Sequence, residues 1–92
     1  MNSENLRVIT EAVKKDEEIL FNGCFNESIV RFDLSTRRNE KRDFYIESFN
    51  KLIDSHRTML NVLFASGESN LIERINKCKN EASRLLDIVY EY

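Results

Sequence analysis

His56 and Cys78 are the two residues of this 92-residue chain whose types would suit chemistry together. An imidazole beside a thiol can generate a nucleophilic thiolate, and the same pair with a carboxylate suits zinc, which accepts Cys, His and Asp or Glu in tetrahedral geometry. Glu17 and Cys24 are the further ligands such a centre would need. Metal motifs, however, place their ligands in close pairs, and here every ligand comes from a different stretch of chain. A catalytic thiol also needs partial exposure, a lowered pKa and donors for a developing oxyanion. Positions 56 and 78 lie instead midway along apolar helical stripes. The preferred reading is structural: Cys78 is a small core hydrophobe, and His56 a polar core residue that fixes register by hydrogen bonding to Glu17. No metal or other cofactor is expected.

Other catalytic signatures are missing from the sequence. Asp16-Glu17-Glu18 reads as a solvated helix face, and nothing pins two acids across a cleft. There is no Gly-rich phosphate loop, Gly-x-Ser-x-Gly elbow or dinucleotide fingerprint. The chain is expected not to be an enzyme.

Arg31, Arg37, Arg38, Lys41 and Arg42 fall within twelve residues, flanked by Phe32, Phe44 and Tyr45. Cations can neutralise phosphate while aromatic rings stack on bases, so this segment is the candidate nucleic-acid patch. Asp33 and Glu40 interrupt it, and the net charge of the chain is -2. A solvated connection with internal ion pairs is therefore the preferred reading. Contact with an acidic protein partner would use the same residues.

The elements that position these groups are helical. Zero Pro and two Gly remove the usual turn residues of sandwiches and barrels, while 41% apolar and 33% charged residues provide for one modest core and a polar surface. One helical domain over residues 1–92 is expected. Its first helix, about 4–22, begins at Ser3 as N-cap, carries Leu6, Ile9, Val13 and Leu20, and leaves through a left-handed residue at Asn22-Gly23. Residues 24–43 are ambiguous: Asn26 can cap a short helix with Ile29, Val30 and Phe32, yet Val30, Phe32 and Leu34 alternate as a hairpin strand would. A short helix and a charged connection are favoured, because no Gly-containing turn pair is present.

From about 43 to 66, with a start as early as Ser35 left open, Tyr45, Phe49, Leu52, His56, Leu60 and Leu63 form one narrow stripe. Gly67 marks the turn, Asn70 with Glu73 gives capping-box spacing, and Leu71, Ile75, Cys78, Ala82, Leu85 and Val89 form the stripe of a last helix over about 70–91. The two stripes are mirror images about Gly67. Folded antiparallel, they match Leu63 with Leu71, His56 with Cys78 and Tyr45 with Val89, so the fold class is an all-α bundle of three or four helices. Gly23 to Phe32 with Ile72 to Cys78 resembles, in outline, parts of the microtubule-interacting and trafficking module, but the intervening distance exceeds that module's second helix. Ile53 to Arg57 is similar in outline to helical-hairpin phosphatases of sporulation regulators, but their Ser-Gln-Glu-Leu-Asp run is missing. Neither family is adopted.

No apolar run approaches the roughly 20 residues that cross a bilayer. Residues 1–20 lack a hydrophobic signal core, and two cysteines make no disulfide framework, so the expected location is the cytoplasm. Apolar residues outside the main stripes, among them Phe64 and Ile72, point to a regulator or adaptor that works by protein contact, as a homodimer or with another protein. The alternative is a nucleic-acid-binding regulator using residues 31–42. A further conditional expectation is that a neutral buried His56 would make the bundle loosen on protonation.

Overall fold

The computed structural model describes residues 2–92. Asn2 caps the first helix, its side chain accepting from the Asn5 amide at 2.8 Å, so α1 (Ser3–Glu17) starts one residue before the expected cap at Ser3 takes effect. A π-helical turn, Glu18–Asn22, continues it. Asn26 then caps α2 (Glu27–Leu63), accepting from the Ile29 amide at 3.0 Å, and α3 spans Ser69–Glu91. All elements among the described residues are helical; residues 24–26 form a turn and 27–43 belong to α2, which excludes the hairpin alternative.

α2 is not a straight rod. Arg37 has φ -137° and ψ 38°, outside the helical region, and divides the helix into arms of residues 27–36 and 38–63. In a continuous helix Asp33 and Tyr45 would stand about 18 Å apart. Instead the Tyr45 hydroxyl donates to the Asp33 carboxylate, and the rings of Phe25 and Phe49 lie 5.6 Å apart. The chain therefore reverses at Arg37. The expected charged connection shrinks to a single residue, and the central helix begins at 38 rather than near 43.

This reversal makes a bundle of three rods. The first consists of α1, the π turn and the first arm of α2; the second is the long arm, 38–63; the third is α3. Val13 shares an apolar cluster with Leu63, Leu71 and Ile75, Leu20 belongs with Ile53 and Cys78, and Phe25 meets Phe49. Rising numbers in the first rod thus meet falling numbers in the second, the mark of antiparallel packing. The molecule measures 46 × 19 × 17 Å. Its radius of gyration of 14.3 Å exceeds the ~12 Å of a compact chain this long, so much surface must face solvent.

The mirror-image stripes of the long arm and α3 pack as their spacing predicts. Tyr45, Phe49, Ala82, Leu85 and Val89 lie in one cluster with Leu52 packed against it; Leu63, Leu71 and Ile75 lie in the other with Leu60 against it. Each fully buried aliphatic side chain contributes about 1.5–3 kcal/mol. α3 buries seven residues, whereas α1 buries Val13 alone and the π turn Leu20 alone. α1 is consequently the α-helix with the fewest buried residues.

The two glycines serve different ends. Gly67 has φ +78°, the left-handed conformation that closes the bend between α2 and α3. Gly23 has φ -103°, so the expected left-handed exit at Asn22-Gly23 does not occur. Glycine is needed there because a Cβ would lie 3.0 Å from the Glu18 carbonyl oxygen and 3.1 Å from Ile19 Cα, where the chain folds back over the π turn. Nor does Asn70 cap α3: the cap position is Glu68, which makes no side-chain capping bond.

Candidate functional site

A polar layer crosses the bundle between its two apolar clusters. His56 on the long arm is fully enclosed, with its Nε2 3.1 Å from the Asp16 carboxylate of α1. The approach is not aligned for hydrogen bonding, so both ring nitrogens lack a hydrogen-bond partner. Asp16 is thus the acid facing the imidazole, not Glu17. One helical position separates the two, which rotates Glu17 by 100° toward α3. There it accepts from Arg74 Nε at 3.0 Å and Nη2 at 2.6 Å, a bidentate pairing that holds its carboxyl below the usual range.

Cys78 is enclosed at the same level of α3. Burial, reinforced by the negative charges of Glu17 and Asp16, pushes its thiol up to about 11. That shift runs opposite to the one a nucleophile or thiolate ligand requires. Cys24 is exposed, between the π turn and α2. Among the described residues no group of three or more His, Cys, Asp or Glu side chains is arranged to hold a metal ion. The structure therefore buries both His56 and Cys78 but turns Glu17 to Arg74 of α3, and Asp16, which faces His56 and whose charge acts on Cys78, is the residue that the sequence reading missed. The signal was present: Asp16 lies three residues after Val13 and four before Leu20, on the same helical face.

The basic residues lie on helices around the reversal at Arg37. Arg31 is paired with Glu27 at 3.1 Å, and Arg42 with Asp43 at 3.6 Å. Lys41 sits over the ring of Phe44, 5.3 Å from its centroid, and Arg42 over Tyr90 at 5.6 Å. Arg37 and Arg38 are exposed and, among the described residues, make no ion pair. Each of the other six arginines does make one. The aromatic neighbours are assembled by Phe25, whose ring meets Phe44, Tyr45 and Phe49 edge-on. Desolvation, and then the hydrogen bond to Asp33, raises the Tyr45 phenol above its ordinary range.

Apolar surface remains at both ends. Phe64 is 88% exposed at the Gly67 bend, with Val62 beside it in sequence, and Phe32 is 64% exposed near the corner. A groove of about 470 Å³ beside Phe21 is lined by Glu73, Asn76, Lys77 and Arg84 of α3; it is open to solvent. No helix among the described residues is long and apolar enough to cross a membrane.

No protein-family model matches this sequence, and neither curated proteins nor solved structures yield a match. The functional reading therefore rests on the residues themselves.

Proposed function

We propose that this chain is a non-enzymatic regulator or adaptor, acting in the cytoplasm through contacts with a second copy or another protein. The carrying observation is that four of its six phenylalanines, Phe21, Phe32, Phe44 and Phe64, are exposed. A buried Phe is among the largest contributors to a small core, and aromatic side chains dominate the energetics of protein interfaces. A bundle this slender places them outside, where a partner can cover them. The enclosure of His56 and Cys78 supports the non-enzymatic part of the reading, because substrate would have no route to either side chain.

The test compares the native chain with Phe64→Ser and Phe32→Ser variants in sedimentation velocity over a concentration series and in capture from extracts of the source cells. Both positions are surface sites, so helicity should persist. The reading expects self-association, or recovery of a discrete partner, that at least one variant loses. If the native chain stays monomeric and recovers nothing beyond what the variants recover, the reading fails.

A second reading, nucleic-acid binding through Arg31, Arg37, Arg38, Lys41 and Arg42, draws on the two free arginines. With two phosphates neutralised, log affinity for a single strand would fall with log salt at a slope of only about -1.4. Absence of DNA or RNA binding at low salt would remove it.

A further inference from the structure

We propose that the corner at Arg37 is the docking surface for an acidic, partly apolar peptide segment of a partner protein. The proposal rests on the protein-contact reading and names the partner's chemistry. Six of the eight arginines are satisfied by carboxylates of this chain; the two that are not, Arg37 and Arg38, are adjacent and exposed where the arms of α2 meet. Exposed guanidinium groups present a rigid fork of donors that matches carboxylates in bidentate geometry. Phe32, five residues before Arg37 on the arm that runs into the corner, is 64% exposed and offers an apolar contact on that arm.

The same residues discriminate between two anionic partners. A nucleic acid would need ring faces on which bases stack. The rings of Phe44 and Tyr90 already carry Lys41 and Arg42 over their faces, and Phe44 is further contacted by Phe25. Phe32 alone is left, and two free cations are few for a polyanion approaching a chain of net charge -2. A short run of carboxylates with apolar side chains between them matches two forks and one open ring.

The shape of the corner favours such a partner as well. Arg37 and Arg38 stand where the chain reverses; Asp33, four residues before Arg37, accepts from Tyr45 instead, and Glu40, three residues after it, makes no ion pair with either arginine among the described residues. On the helix sides, Arg7, Arg31, Arg57 and Arg84 have acids three or four residues away and are neutralised by them. The backbone at Arg37 carries no positive φ, so charge substitutions there leave the reversal unstrained.

The experiment measures fluorescence anisotropy of a labelled peptide of three Glu-Glu-Leu-Phe repeats against the full chain. The same peptide with Gln for every Glu, and an oligothymidylate of about twenty nucleotides, serve as competitors. The proposal expects saturable binding of the acidic peptide that neither competitor displaces. Affinity should fall at least tenfold in Arg37→Glu/Arg38→Glu, fall less in Arg37→Gln/Arg38→Gln, and stay unchanged in Phe64→Ser. Absent binding, equal binding by the charge-reversed variant, or preference for the oligothymidylate overturns it. Those outcomes leave the protein-contact reading standing if Phe64→Ser still abolishes self-association or partner recovery, so the two fail separately.

Discussion

The chain reverses direction twice, at Gly67 and at Arg37, and the two reversals are specified in different ways. At Gly67 the turn residue itself carries the instruction: φ +78° is a conformation glycine adopts freely and side-chain-bearing residues resist. At Arg37 φ is negative, so glycine is not required, and no local rule demands a turn there. The instruction lies in the arms. Asp33 accepts from Tyr45 across the corner, and Phe25 wedges against Phe44, Tyr45 and Phe49. A reversal can thus be written in one residue or in the contacts that close behind it.

Phe25→Ala should have the largest effect, because it removes three ring contacts that hold the turn leading into the first arm of α2 against the second arm. Full truncation of a core Phe costs about 3–5 kcal/mol; for this half-buried ring about 2–4 kcal/mol is expected. If the arms alone specify the corner, amide exchange should rise over residues 27–36 while residues 57–75 keep their protection. Uniform loss of protection over the whole chain would show that the corner is not a separate unit.

Tyr45→Phe should cost about 1–3 kcal/mol, since it leaves the partly buried Asp33 carboxylate without its donor while preserving the ring stack on Phe49. Thermal unfolding measures it. Tyr45→Phe combined with Asp33→Ala should recover part of the loss, and a fully additive pair would show that the hydrogen bond contributes nothing. Gly67→Ala should cost about 1 kcal/mol at the other reversal. A Cβ there meets nothing within 4 Å, so the cost is conformational alone, and Gly67→Asn should cost less than Gly67→Ala because Asn tolerates the left-handed region.

The unequal legibility of the fold follows from this contrast. The Gly67 bend and the mirror-image stripes around it could be read because a helix of period 3.6 and a left-handed glycine are local properties. The Arg37 corner could not, because its determinants are pairs twelve and more residues apart: Asp33 with Tyr45, Phe25 with Phe49. Unbroken helix-forming residues from Glu27 onward conceal the break, and the sequence offers a basic run where the molecule has a vertex. The polar layer was legible in part. His56 and Cys78 follow from the stripe, but choosing between Asp16 and Glu17 requires the phase of α1 to better than one residue. Arg74 resolves it by drawing Glu17 toward α3.

The smallest effect belongs to that pairing, midway between the reversals. Arg74 holds the Glu17 carboxyl below its ordinary 4.5 in the folded chain, so the folded state binds the proton less readily than the unfolded one. The resulting stabilisation is complete above about pH 4.5 and is lost as pH falls through the lower folded value. Both side chains are partly exposed, which limits the contribution to below about 1 kcal/mol. Glu17→Gln should therefore lower stability slightly at pH 7, and the difference from the native chain should shrink as pH falls below about 4.5 and the native carboxyl takes up its proton. Because α1 is held by Val13, the partly buried Leu6 and Ile9, and this pair, the loss at pH 7 should appear as faster amide exchange in residues 3–17, with residues 27–36 unaffected. An equal rise in both segments would join α1 and the corner into one cooperative unit and erase the distinction between a reversal specified by its residue and one specified by its arms.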